Sequence, residues 1–336
     1  MKFRLINSYH ERMSFLSLLF ALLIEQVRPF SYHSWINLHV AKAGRWIRLH
    51  LDAGLDKQAL AAWTLGVLLP TTLVAAIYWT LMGWGSWFLG LLWSVGVLYV
   101  CIGFRQFSHN FTQIRDALES GREQDAADLF TAWQRLEPKV WKTPALIRQL
   151  IEYSVVAAHR HVFGVLYWYC FLAMLGFGPA GAVLFRLTEM LVDVWTKQKD
   201  ITEGEEVISS EALMSLSHNV WLYMDWIPSR LTAITFAVVG NFEEAIDSWR
   251  FHINRFDSSS DAVILAATSG ALNIELGVTP LQKETLKDTG EPLGNEPVLG
   301  QTPQIAHLRS VVGLLWRGVV MWMLILALSS LSRLVS

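Results

Sequence analysis

The sequence predicts an all-α fold, a polytopic helical membrane protein with a helical cytoplasmic cap. Three observations predict it. Apolar runs of hydrocarbon length recur along the 336 residues. Charged residues make up only 17% of the chain, against about 25% in ordinary soluble domains. No alternating apolar–polar pattern long enough for a strand sheet occurs. Hydrophobic residues reach 53%, with 16 Trp and a mean hydropathy of +0.34, so the chain is under-charged for water.

A bilayer-spanning helix needs about 20 mainly apolar residues. Met13 to Ile24 falls short of that and reads as a short embedded or re-entrant helix at 13–24. Lys2, Arg4 and Arg12 precede it, but Glu25-Gln26-Val27-Arg28-Pro29 follows where a cleavage site would need small residues, so no cleavable signal peptide is expected. Residues 60–81 form the first clear span, without a single charge, and Trp84, Trp87 and Trp93 flag the interface beyond it. Residues 87–104 form the second, joined to the first by the uncharged Met82-Gly83-Trp84-Gly85-Ser86 as a tight hairpin.

Residues 162–194 are apolar but interrupted by Gly176-Phe177-Gly178-Pro179, and their second half carries Arg186, Glu189 and Asp193. Two arrangements fit: a broken pair of short helices, or one tilted span followed by an interfacial helix. The broken pair is preferred, because charges at depth need partners and Arg186 and Glu189 share a helical face three residues apart. Residues 311–331 are the last span, with Arg317 near one end where it can snorkel.

Lys and Arg in the connecting segments set the orientation. Arg28, Lys42, Arg45, Arg48 and Lys57 precede the hairpin; Arg105, Arg115, Arg122, Arg135, Lys139, Lys142, Arg148 and Arg160 follow it. Both segments are expected in the cytoplasm and the uncharged turn outside. The expected location is the bacterial inner membrane, as one domain over residues 1–336.

The cytoplasmic helices are expected at 105–160 and 195–277. Phe111, Ile114 and Leu118, then Ala126, Leu129 and Trp133, recur at helical spacing on either side of Gly121, a fitting left-handed cap. Gly240 opens a similar unit, and in both an Ala follows five residues later, a hint of duplication. Residues 278–306, rich in Pro, Gly, Glu and Thr, read as a flexible linker.

No phosphate-cradling loop, zincin helix or dinucleotide fingerprint is present. Cys101 and Cys170 both sit in apolar runs, where neither a disulfide scaffold nor a thiolate metal site is expected. A net charge of −2 points to no nucleic-acid partner. His159-Arg160-His161 places two imidazoles on diverging helix faces, so a surface or headgroup role is expected for them, and no metal. Glu152, Arg160, Arg186, Glu189, Asp225 and Arg230 each lie in or beside an apolar segment, where an unpaired charge is costly. Either they form ion pairs that fix helix register, or they line a cytoplasm-facing cavity for an anionic or zwitterionic ligand. Arg105 and His109 complete the candidate cavity at the end of the second span, and no catalytic residue is assigned. The expected partners are the bilayer and a small anionic ligand, with a homodimer left open.

Asp225-Trp226-Ile227-Pro228-Ser229-Arg230-Leu231-Thr232-Ala233 resembles the Trp-Ile-Pro-Ala-Arg-Leu-Thr signature of the CobD/CbiB–AmpE superfamily of membrane proteins. Phe104-Arg105-Gln106-Phe107-Ser108-His109 is similar to its Arg-x-Leu-x-x-His segment. Gly178-Pro179-Ala180-Gly181-Ala182 resembles its Gly-Pro-Ala-Gly, and Gly270 to Gly277 its Gly-Ala-Leu-Gly-Val-x-Leu-Gly. The resemblance implies one of two functions. The synthase branch makes adenosylcobinamide phosphate in cobalamin biosynthesis, by ATP-dependent amide formation on a corrinoid with Mg2+.

Where that branch carries Glu-Asn-Thr-x-Asp-Gly, this chain has Val156-Ala157-Ala158-His159-Arg160-His161, with only Glu152 surviving upstream. Thr188-Glu189-Met190-Leu191 and Ser260-Asp261-Ala262-Val263 replace two further polar motifs. The changed positions look like AmpE, a branch described as regulatory in β-lactamase induction and cell-wall recycling, with an Arg at the place of Arg160. The leading expectation is therefore a non-catalytic, ligand-binding regulatory protein with no cofactor. The alternative is the cobalamin-pathway synthase with ATP and Mg2+, and a weaker third is a lipid or quinone handler.

Overall fold

The structure is a computed structural model that describes residues 2–27, 35–84, 87–134, 142–196, 201–202, 205–206, 209–255, 259–276 and 300–335. The fold is all-α. A two-residue antiparallel pair, Ile201–Thr202 with Glu205–Glu206, is the strand content among the described residues. The linker expected at 278–306 lies largely outside the described residues.

The chain divides into two compact units, one of residues 1–106, 160–228 and 323–336, the other of 107–159 and 229–322. The first unit opens with α1 (Lys2–Val27), which extends the short 13–24 helix expected from the apolar run by a turn at its end and several at its start. Next come α2 (Trp35–Leu51), α3 (Asp56–Trp63), a π-helical turn at Thr64–Leu68, α4 (Leu69–Gly83) and α5 (Trp87–Cys101). Together α3, the π turn and α4 make one continuous helix, Asp56–Gly83. It and Ile305–Ser332 are the helices among the described residues long and apolar enough to cross a bilayer.

The span expected at 87–104 ends instead at Cys101, at 15 residues. The chain breaks at Ile102-Gly103, where a Cβ added at Gly103 would meet the His161 side chain at 3.9 Å. Trp84 and Trp87 are exposed, as interface residues would be, whereas Trp93 is half-buried and donates its indole N–H to the Val74 carbonyl at 3.3 Å.

Residues 162–194 form a broken pair, α9 (Gly164–Met174) and α10 (Ala180–Thr196). Gly176 and Gly178 between them take φ of 88° and 58°, left-handed values that favour glycine. Helix α10 is the hub of this unit and packs on α9, α2, α4 and α5. Its Trp195 is fully buried and donates to the Gly44 carbonyl at 3.0 Å. Burying one such ring stabilises by roughly 1.5–3 kcal/mol. A Cβ at Gly44 would fall 2.5 Å from Leu191, so its absence lets α2 lie close against α10.

The second unit holds most of α6 (Phe104–Glu119), α7 (Glu123–Gln134), α8 (Thr143–Ala158), α12 (Phe242–Arg255) and α13 (Ser260–Leu272). It takes part of α11 (Glu211–Val239) and of α14 (Ile305–Val335). Gly121 separates α6 from α7 with φ 72°. Gly240 does something different: a Cβ there would fall 2.7 Å from the Ala271 Cβ, so it serves close packing. The suggested duplication therefore reduces to Ala126 and Ala245, both fully buried.

Candidate functional site

In the first unit the polar side chains gather around α10. The Gly178-Pro179-Ala180-Gly181 turn sets where this helix starts. A Cβ at Gly181 would meet the Trp168 carbonyl oxygen at 1.9 Å, so only glycine lets α10 lie against the backbone of α9. That packing buries Arg186, at 8% exposure, and Glu189 lies one turn further along. Arg186 Nη1 donates to Glu189 Oε2 at 2.6 Å. The hydrogen bond is charge-assisted, and in this setting roughly twice as strong as a neutral one.

Arg160 belongs to a π-helical turn, His159–Phe163, which continues α8. Such turns are rare and frequently mark functional sites. Its guanidinium carbon lies 5.7 Å from the centre of the Trp221 ring, a cation–π contact. Trp221 in turn meets Phe185 with ring centres 5.3 Å apart. Asp225 follows Trp221 by one turn of α11 and is fully buried. Of the predicted residues in this unit, Arg186 and Glu189 are bonded directly, and Arg160 lies over the Trp221 ring. Arg105 stands on α6; its side chain lies outside the described residues.

The second unit holds Glu152, Arg230 and His109. Glu152 sits in a small charged cluster: Arg148 Nε is 3.9 Å from its Oε1, and Gln149 donates to its Oε2 at 3.0 Å. The same Arg148 reaches Glu275 Oε1 with Nη1 at 3.9 Å, and Glu275 is buried. Arg230 is half-buried beside Ser229, with Nη1 3.5 Å from the hydroxyl, and His109 is exposed on α6.

One expectation is corrected here. His159 is not a surface residue but fully buried, with Nδ1 2.9 Å from the Thr232 hydroxyl. It continues the buried face of α8, one turn beyond the fully buried Val155. Thr232 itself belongs to the Asp225–Ala233 segment, so that segment carries structural duty as well as charge.

Arg148, Glu275, Trp221 and Thr232 were not among the predicted residues. The i,i+4 spacing of Arg148 and Glu152 and the place of Glu275 in the Gly270–Gly277 segment were the available signals. Among the described residues no group of three or more His, Cys, Asp or Glu side chains is placed to hold a metal. A resident ion held by protein ligands alone therefore has no donor set among them, and no reaction step is derived through one.

No family model matches the chain, and no solved structure matches it. Two curated proteins do. The chain is 26% identical over 273 residues, 81% of its length and 82% of the relative's, to the "Cobalamin biosynthesis protein CobD" of Stutzerimonas stutzeri. It is 26% identical over 236 residues, 70% of its length and 69% of the relative's, to the protein of the same name from Chromobacterium violaceum. The chain is thus related to CobD proteins. This overturns the expectation of a non-catalytic regulator, which rested on the replaced acidic run at Val156–His161; both relatives carry the name of a biosynthetic pathway.

Proposed function

We propose that this chain is a multi-pass membrane enzyme of cobalamin biosynthesis, a synthase that joins an amino-alcohol moiety to a corrinoid carboxylic acid by ATP-dependent amide formation. The observation that carries the reading is the similarity to CobD of Stutzerimonas stutzeri, which runs through 81% of this chain and 82% of that one. The two long apolar helices, Asp56–Gly83 and Ile305–Ser332, support a bilayer location, with the Lys- and Arg-rich segments on the cytoplasmic side.

Amide formation from a carboxylate requires that one oxygen leave. Phosphoryl transfer from ATP to the carboxylate releases ADP and makes that oxygen part of an acyl phosphate; the amine nitrogen then adds to the acyl carbon, gives up a proton to a nearby carboxylate, and phosphate departs as the C–N bond forms. The protein's task is to hold several anions together and to keep the amine close and unprotonated at the moment of attack. Arginines suit the first task because the guanidinium presents a planar fork of donors to phosphate or carboxylate. Arg148 is the arginine we assign to it. Glu152 and Glu275, which share Arg148, are the carboxylates we assign to the amine; Glu152 is also the acid that survives beside the replaced synthase motif.

The test is ATP turnover by the purified full-length protein in detergent, with a corrinoid acid and an amino-alcohol phosphate added separately and together. ADP release that needs both substrates and falls at least about a hundredfold in Glu152→Ala is expected, the lower bound for one general acid–base group. A well-folded protein with no substrate-dependent turnover overturns the proposal.

A further inference from the structure

The first unit contains a cavity of about 530 Å³ that the proposed amide chemistry does not use. Its wall is formed along α5 by Leu89, Leu92, Trp93, Gly96, Val100 and Cys101, and on the other side by α2, α4 and α10. The volume falls within the range of small-molecule sites, about 300–1,000 Å³. The lining is apolar throughout except for one charged side chain, Arg186.

The polarity along the cavity is directional. From Leu89 to Cys101 α5 rises about 18 Å, at 1.5 Å per residue. Leu89 and Leu92 remain exposed at 37% and 57%, so one side stays open. Towards the opposite end Cys101 and Arg186 both line the cavity. Glu189 takes one of the five N–H donors of that guanidinium. A long apolar channel with a cationic end fits one kind of molecule, an amphiphile with an anionic head.

We propose that this cavity is a binding site for an anionic phospholipid, its headgroup at Arg186 and one acyl chain lying along α5 towards Leu89. The site rests on the membrane placement proposed above and not on the corrinoid chemistry. By the charge asymmetry of the connecting segments, the Cys101 end of α5 faces the cytoplasm, so the lipid belongs to the inner leaflet. Its chain fills apolar space that would otherwise lack contact atoms on one side, and its phosphate meets a guanidinium held in place by Glu189.

Gly96 offers a direct test. It lines the cavity, and a Cβ there would have no heavy atom within 4 Å. Gly96→Leu therefore fills the channel without disturbing the helix, for which Leu is a better former than Gly. Native mass spectrometry of the full-length protein in mild detergent, titrated with phosphatidylglycerol or phosphatidylcholine of identical chains, reads binding directly. The wild type should retain phosphatidylglycerol about tenfold more tightly, because the fixed ammonium of phosphatidylcholine cancels its phosphate's charge and is repelled by Arg186, a difference about the size of one charge-assisted hydrogen bond. Gly96→Leu should lose retention of both, and Arg186→Gln should lose the preference alone.

Equal retention of the two lipids by the wild type overturns the proposal. So does unchanged phosphatidylglycerol retention in Gly96→Leu, which keeps the test decisive if Arg186→Gln does not fold. A chain that stays monodisperse without detergent would instead overturn the membrane placement, a result distinguishable from either.

Discussion

Trp168 Nε1 donates a hydrogen bond to the main-chain carbonyl oxygen of Met224 at 3.1 Å. Met224 stands four residues before Pro228, which lies inside α11. In a regular helix its carbonyl would accept from the N–H of residue 228, and proline has none. The indole of α9 supplies the donor that the proline removes, so the interior proline of the Asp225–Ala233 segment is tolerated because another helix completes its hydrogen bond. Trp168→Phe should therefore destabilise the protein by about 1–3 kcal/mol, the cost of leaving a buried polar group unsatisfied. In a Pro228→Ala background, where the alanine N–H can bond Met224, the same substitution should cost clearly less. Thermal unfolding of the four proteins in one detergent measures the coupling.

The glycines of the resemblance segments separate by what surrounds them. A Cβ at Gly181 would lie 1.9 Å from the Trp168 oxygen, and one at Gly270 would lie 2.1 Å from the Glu244 oxygen. Both obstacles are backbone, which moves only with its helix. Gly181→Ala and Gly270→Ala should each lower the unfolding temperature markedly, by an overpacking cost of about 1–3 kcal/mol or more. Gly96→Ala, which meets open space, should be neutral or raise stability by about 0.5–1 kcal/mol. Comparable shifts in all three would contradict the packing account.

The burial of His159 distinguishes a structural residue from a surface one. Thr232→Val keeps the shape of its side chain but removes the hydroxyl 2.9 Å from Nδ1. The expected loss is about 1–3 kcal/mol; a surface histidine would make the change worth less than about 0.5 kcal/mol. Chemical denaturation of the variant beside the wild type decides which applies.

How much of this was legible in the sequence follows the reach of each interaction. The Arg186–Glu189 pair was readable because i,i+3 spacing alone puts two side chains on one helix face. Gly121 and the Gly176–Pro179 break were readable because glycine and proline act on their own backbone. The charge scarcity and the long apolar runs were enough for the all-α class. His159 against Thr232 was not readable, since the contact joins residues 73 apart on different helices. Glu275 beside Arg148 and Trp168 beside Met224 are likewise long-range, and local periodicity carries no trace of them. The short α5 was missed because Ile102-Gly103 is as apolar as the helix it ends.

An exposed ion pair supplies the pH dependence. Arg309 donates to both carboxylate oxygens of Glu119, at 3.1 and 3.0 Å, and this holds the carboxyl below the usual glutamate range. A depressed carboxylate contributes stability that is present above its unfolded value, about 4.3, and is lost as the pH falls through the folded one. Glu119→Gln should therefore lower stability at neutral and alkaline pH alike and leave the acidic side little changed, which narrows the difference between neutral and acidic buffer. Because Arg309 is 71% exposed, high salt should shrink the same difference. Unfolding curves between pH 3 and 8 at two ionic strengths measure both effects.

The account turns on whether a carbon–nitrogen bond is made on a corrinoid. Purified full-length protein can be incubated with MgATP, a corrinoid acid and a 15N-labelled amino-alcohol phosphate, and the corrinoid pool examined by mass spectrometry. The expected result is a corrinoid heavier by the labelled amine less one water, absent without ATP and strongly reduced in Glu152→Ala. A corrinoid pool of unchanged mass, from a protein shown to be folded, would contradict the assignment.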